Sequence, residues 1–295
     1  MREYGYFPGC SAHKGTGIAF GVSTRAVAET LGMNLIELED WNCCGSTPYT
    51  STNELEAICI AARNLALAEK TGLDLVTPCS DCYIILKQAN TELKAYPDLK
   101  KKVDACLAAG NMEYQGKIQV RHLFEVIYSD IGLEFIKSKV VNPLKGLKVA
   151  AYYGCQMIRP ECSYDDIHNP KSLDRFMAAL GAEPVSFPMK DRCCGGSMII
   201  PELDLALGLV YKLLESAASN GAQCITTVCP LCQTNLDAYQ GLVNRKFRTR
   251  FSIPALFFTQ LMGIAFGIDP GALALDRSIV PADRLLSGFI KVPAA

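Results

Sequence analysis

The stretch Trp41-Asn42-Cys43-Cys44-Gly45-Ser46 returns later in the chain as Asp191-Arg192-Cys193-Cys194-Gly195-Gly196-Ser197. The agreement spreads outward from both pairs. Cys79 and Cys82 recur as Cys229 and Cys232, at the same 150-residue shift, and Cys10 recurs as Cys155. Flanking text repeats as well: YGYFPGC against AAYYGC, and DLVTPCSDC against CITTVCPLC. Ten of the 14 cysteines fall into this pattern, so the chain is read as a tandem duplication. Cys59, Cys106, Cys162 and Cys224 have no counterpart and are expected to be small buried apolar residues.

Each half alternates between two periodicities. Residues 3–8 and 148–153 are short β-prone runs ending near Cys10 and Cys155. Residues 19–31 and 171–180 have helical spacing and stop at Gly32 and Gly181. Residues 33–38 and 183–187 are extended and lead to the adjacent cysteines. Ser51 to Glu54 reads as a capping box for a helix whose apolar face is Leu55, Ile58, Cys59, Ala62 and Leu65, ended by Gly72. Residues 201–219 repeat that helix. Leu75–Thr77 and Ile225–Thr227 run into Cys79 and Cys229, where further helices start. The alternation predicts an α/β fold of two units, with all the repeated cysteines at carboxyl ends of strands, where sites gather in such sheets. The units join near 137–147, giving lobes at 1–142 and 143–270. Residues 271–295 are left as a tail that packs on a neighbour or stays mobile.

Composition narrows the function. The chain has 295 residues, 49% of them hydrophobic, enough for one or two cores. A formal net charge of −1 offers no general attraction to nucleic acid or anionic lipid. The longest apolar run, 253–268, is 16 residues, short of the roughly 20 of a spanning helix, and reads as a buried core helix. The N-terminus carries no secretory signal, so a reducing compartment is expected and metal binding suits the thiols better than disulfides. Thiolates suit zinc, copper(I) and iron–sulfur clusters. Five cysteines per half exceed the four of a structural zinc site or an ordinary cubane, which argues for a more open cluster, with zinc in one half as the alternative. No dinucleotide fingerprint follows a strand, so no NAD or flavin is expected in this chain.

Cys43-Cys44-Gly45 and Cys193-Cys194-Gly195, each with an upstream cysteine and a downstream C-x2-C, resemble the duplicated cysteine-rich CCG domain of the heterodisulfide reductase B subunit family. Ala62-Arg63-Asn64-Leu65-Ala66, Tyr153-Gly154-Cys155, Cys229-Pro230-Leu231-Cys232 and Phe258-Thr259-Gln260-Leu261 extend the resemblance over about residues 3–268. It implies two tandem domains related by a pseudo-twofold axis, each binding a noncubane four-iron–four-sulfur cluster. Cys10, Cys43, Cys44, Cys79 and Cys82 would hold the first, and Cys155, Cys193, Cys194, Cys229 and Cys232 the second. It further implies a cytoplasmic component of a larger complex. Electrons would reach it through an iron–sulfur C subunit from a flavin-bearing A subunit. In methanogens this component cleaves the mixed disulfide of coenzymes M and B. The methanogen form typically has Cys-Cys-Pro where this chain has Gly45. The segments Gly9 to Gly15 and Pro78 to Cys82 look more like bacterial relatives, including sulfur-oxidising ones that handle protein- or lipoate-bound sulfur. CCG domains also occur as electron relays in flavin-linked oxidases of lactate, glycolate or succinate, which is the alternative role.

Other chemistry is sparse. His13, three residues from Cys10, is the candidate proton donor. His122 is expected to cap or pack against the helix that follows it, and His168 to be exposed. The basic run 245–250 reads as a charged turn before a strand, and Gly195-Gly196-Ser197 as a tight turn beside the cysteine pair.

Overall fold

The computed structural model describes residues 2–46 and 48–290. Strand β1 (Arg2–Tyr6) buries its second half and lies between β2 (Met33–Glu37) and β3 (Leu75–Thr77); β4 (Val120–His122) completes a parallel sheet in the order β2-β1-β3-β4. The second half repeats this with β5 (Lys148–Tyr152), β6 (Glu183–Pro184), β7 (Cys224–Thr227) and β8 (Ala255–Phe257), ordered β6-β5-β7-β8 and again parallel. Parallel neighbours require crossovers. Helices Ile18–Leu31, Glu54–Thr71 and Ser80–Ala95 provide them in the first half; Ser172–Ala179, Leu203–Ser219 and Pro230–Ala238 do so in the second. The Ile18–Leu31 helix stops at Gly32, whose left-handed φ of 66° lets its N–H reach the carbonyls of Ala28 and Glu29.

The halves share one interior. Phe20 of the first stacks on Phe257 of the second, centroids 4.3 Å apart, and meets Phe258 edge-on at 5.8 Å. Phe124 meets Phe176 and Phe258 at 5.4 and 5.3 Å. The Ser23 and Thr259 hydroxyls, both buried, hydrogen-bond at 2.7 Å across the same contact. Such a dry aromatic junction fixes the two sheets relative to each other far more firmly than a flexible linker would.

Several expectations need correction. The run 253–268 is not one helix: Ala255–Phe257 is a strand on β7, and only Phe258–Ala265 is helical. A fully buried three-residue strand has no polar face, so its pattern matches that of a buried helix. The cap of the Glu54–Thr71 helix is Asn53, whose side chain accepts from the Glu56 N–H at 3.3 Å, rather than Ser51. Residues 271–290 pack on their own chain. Leu273, Leu275, Val280 and Leu286 are buried, and the Asp237 carboxylate accepts from the N–H groups of Ile279 and Val280 at 2.8 and 2.9 Å. Residues 291–295 of the expected tail lie outside the described residues. Of the four unrepeated cysteines only Cys224 is buried; Cys59 and Cys162 are partly exposed and Cys106 is exposed. The tight turn at 195–197 is as expected, with φ of 94° and 51° at Gly195 and Gly196.

Candidate metal centre

Every repeated cysteine follows the carboxyl end of a strand. β1 leads into the short helix Gly9–Lys14, which carries Cys10; β2 leads to Cys43 and Cys44. β3 ends beside Cys79, the N-cap of the Ser80–Ala95 helix, which places Cys82 in the first helical turn. In the second half β5 leads to Cys155 and β6 to Cys193 and Cys194. There β7 leads to Cys229, the N-cap of Pro230–Ala238, with Cys232 in its first turn. Cys44, Cys79, Cys82, Cys194, Cys229 and Cys232 are buried; Cys10, Cys43 and Cys193 are exposed, with Cys155 between.

The thiols touch in a row. Cys10 neighbours Cys43, Cys43 neighbours Cys44, Cys44 neighbours Cys82 and Cys82 neighbours Cys79. Cys79 in turn neighbours Cys229 of the other half, each thiol acting on the other. From there the row continues through Cys232 and Cys194, whose sulfurs are 3.5 Å apart, to Cys193 and Cys155. All ten cysteines thus adjoin one another, and the two halves meet at Cys79 and Cys229.

Charge is distributed unevenly along it. Cys43 is pulled down to about 2 by the Cys10 and Cys44 thiols that donate to it, helped by the N–H groups of Gly45 and Cys44. Cys193 is held at about 2 by Cys155, Cys194 and the Gly195 N–H. Cys229 is also lowered, by Cys232 and Cys79. The other seven are raised. For Cys44 and Cys194, pushed up to about 12, the first cause is the thiolate beside them. Adjacent like charges cannot all ionise unaided. Ten crowded thiols, most of them raised by burial and by one another, are an all-sulfur donor set whose protons would leave only against added positive charge, which a polynuclear metal–sulfur centre provides. Among the described residues, no group of three or more His, Cys, Asp or Glu is arranged to hold a single metal ion.

Room beside the row is secured by glycine. Gly9 has φ +70°, and a Cβ there would sit 2.8 Å from the Cys82 sulfur; Gly154 has φ +69°, and its Cβ would sit 3.2 Å from the Cys232 sulfur. The same device thus precedes the first cysteine of each half. The loops with adjacent cysteines are braced by buried amides. Asn64 accepts from the Asn42 N–H and donates to the Asn42 carbonyl, both at 3.0 Å. Asn235 donates to the carbonyls of Cys194 and Gly196 at 3.2 and 2.9 Å and approaches the Cys194 sulfur at 3.6 Å.

Three further groups are placed by the structure. His13 sits on the Cys10 helix, half-exposed, 3.5 Å from the Glu37 carboxylate and edge-on to Trp41 at 5.3 Å. His122 is fully buried; its Nδ1 accepts from the Phe124 N–H at 3.1 Å, capping the next helix, and its Nε2 faces the Ser80 hydroxyl at 3.3 Å. Burial pushes it down to about 4, against the Cys229 charge and the Val228 and Pro78 carbonyls. Asp81, inside the first C-x2-C, was not singled out by sequence because Leu231 takes its place in the repeat. Burial, then the charges of Cys229 and Cys193, raise its carboxyl to about 8. His168 is exposed as expected.

The cysteine-rich domain model matches twice, at residues 4–87 and 149–237. The chain belongs to the cysteine-rich CCG family. Within it, the chain is 33% identical to a heterodisulfide reductase B subunit of Methanosarcina acetivorans, over 92% of each chain. A protein of Archaeoglobus profundus described as like the heterodisulfide reductase B subunit is 32% identical over 99% of each. The 8-methylmenaquinol:fumarate reductase membrane anchor of Wolinella succinogenes is 37% identical, over 97% of this chain and 99% of that protein. A solved structure described as a hypothetical protein from Helicobacter pylori shares the fold, with a TM-score of 0.77 at 17% identity. It covers 95% of this chain, which spans about half, 52%, of that one. Membership with these relatives makes the protein an iron–sulfur component of a reductase. Among the described residues, no helix is long and apolar enough to cross a membrane.

Proposed function

We propose that this chain is the catalytic iron–sulfur component of a heterodisulfide-reductase-like complex, with two noncubane four-iron clusters side by side and sulfur–sulfur bonds cleaved or formed between them. The observation that carries the reading is the Cys79–Cys229 contact, which makes two five-thiol sets into one row. Cys10, Cys43, Cys44, Cys79 and Cys82 hold the first cluster, and Cys155, Cys193, Cys194, Cys229 and Cys232 the second. The lobes are residues 1–142 and 143–270, with 271–295 fastened to the second.

Bound clusters of this kind supply single electrons, and opening a disulfide takes two. The chain's own residues do the rest. Gly9 and Gly154 keep the approach to Cys82 and Cys232 open. Asn64 and Asn235 brace the two loops that carry the exposed Cys43 and Cys193. Packing of Leu86, Leu213, Ile225 and Leu236 with Cys79, Cys82, Cys229 and Cys232 keeps water from the buried thiols. His13, facing Glu37 one helical turn from Cys10, is the group placed to pass a proton to a leaving thiolate. Electrons come from the iron–sulfur C subunit and the flavin-bearing A subunit of such a complex, in a reducing, cytoplasmic setting; this chain needs no NAD or flavin of its own. The substrate is a small thiol disulfide or carrier-bound sulfur, protein- or lipoate-linked, as in bacterial and sulfur-oxidising relatives.

A second reading is favoured by one observation, the fumarate reductase relative matched over nearly its whole length. On that reading the clusters are a relay in a flavin-linked complex, and no disulfide binds. Adding a thiol to the anaerobically oxidised complex separates the two. A thiol-dependent change in a cluster's paramagnetic signal, and loss of turnover when either cluster is missing, support the first. An unchanged signal with intact quinol-to-fumarate electron flow would end it.

A further inference from the structure

Cys59 and Cys106 stand outside the repeat, yet they meet. Cys59 lies on the Glu54–Thr71 helix and Cys106 on Pro97–Ala108; the two helices pack together, and both thiols line one groove although 47 positions separate them. They open onto a groove of about 550 Å3. Its walls include Trp41, Ile60 and Met112, and its rim carries Arg63, which donates to the Asp40 carbonyl at 2.6 Å and to Asn42 Oδ1 at 2.9 Å. That size is ordinary for a small-molecule site, and the walls are mostly apolar.

We propose that Cys59 and Cys106 are a thiol–disulfide exchange site, distinct from the cysteine row, whose groove takes a small organic disulfide. Cys106 is exposed and attacks as its thiolate. The Cys106–S–S–R bond forms, the substrate's S–S bond breaks, and the first R–S− leaves and takes up the proton Cys106 released. Cys59 then attacks the Cys106 sulfur. The Cys59–Cys106 bond forms, the mixed disulfide breaks, and the second R–S− leaves with the proton from Cys59. One disulfide is reduced to two thiols, and two protein thiols are oxidised to one disulfide. The order follows from position. Burial first, and then the neighbouring Cys106, push the Cys59 thiol up to about 12. Once Cys106 is in a neutral mixed disulfide, only burial and the Glu56 charge one turn away still oppose ionisation of Cys59. Cys43 lines the same groove, so the exchange takes place beside an exposed member of the repeated cysteine set. The exchange itself needs no cluster, and the site stands whether or not the disulfide-cleaving reading does.

The test uses the iron-loaded protein, anaerobic, with bis(2-hydroxyethyl) disulfide as probe, followed by alkylation and peptide mass mapping. In the wild type, positions 59 and 106 should appear joined, with two probe thiols released per chain. Cys59→Ser should keep one probe half attached to Cys106, and Cys106→Ser should leave Cys59 free for alkylation. Iron content should equal that of the wild type in both variants. Wild-type protein in which both positions remain open to alkylation overturns the proposal without reference to any variant. So does a probe adduct on Cys106 that persists although Cys59 is present, or one on Cys59 in Cys106→Ser at the wild-type rate.

Discussion

His122→Phe should flatten the acid limb of the stability profile. The position suits the change, because the residue that ends the matching strand of the second half is Phe257. His122 is surrounded by the Ser80 hydroxyl, the Tyr83 ring at 5.7 Å, the Val228 and Pro78 carbonyls and the Cys229 charge. Its value falls from 6.5 when unfolded to about 4 in the fold, chiefly through burial. Between those two values the unfolded chain binds the proton and the folded chain does not, so this residue makes stability fall as pH falls. At one pKa unit per 1.36 kcal/mol, going from pH 7.5 to about pH 4.5 should remove about 2.5 kcal/mol from the wild type through this group alone. Asp81, raised to about 8, works in the opposite sense: its contribution is lost as pH rises through that value. It is present in both proteins and cancels in their difference. Anaerobic denaturant titrations at a series of pH values, followed by far-UV circular dichroism, measure that difference. The variant should be less stable near pH 7.5, where it lacks the hydrogen bond to the Phe124 N–H, and the gap should shrink steadily on acidification. A gap that is constant with pH would refute the buried neutral state of His122.

Three other substitutions probe the row. Cys193→Ser should remove about half the iron, leaving the first half loaded, because each half supplies its own five thiols; chemical iron analysis reads this. Gly154→Ala should weaken the second site selectively. It forces a side chain to φ +69°, at about 1 kcal/mol, and places a Cβ 3.2 Å from the Cys232 sulfur, so iron loss from that half on dilution should quicken. Asn235→Leu leaves the carbonyls of Cys194 and Gly196 without their donor and should lower unfolding stability by about 2–4 kcal/mol, with faster iron release from the second half.

The repeat makes the proposed centre legible in the sequence, since Cys44 to Cys79 and Cys194 to Cys229 are equally far apart. Both sheets followed from the same alternation, except for β4 and β8. Those strands are three residues long, too short for a period to show, and in Ala255-Leu256-Phe257 every residue is buried. The docking of residues 271–290 depends on the Asp237 carboxylate and on scattered leucines, neither of which has a periodicity. Asp81 was hidden because it breaks the repeat. The Cys59–Cys106 pair was hidden because it belongs to no repeat and depends on two helices meeting. Local pattern shows what recurs; it does not show which unlike residues the packing brings together.

The central claim is that the ten repeated thiols hold two adjacent iron clusters, five to each. Anomalous diffraction at the iron edge, from crystals of the anaerobically purified protein, tests it directly. Two separate groups of iron peaks on either side of the Cys79–Cys229 contact, each reached by the five cysteines of its own half, are the expected result. A single iron group, an iron-free half, or zinc in place of iron would contradict it.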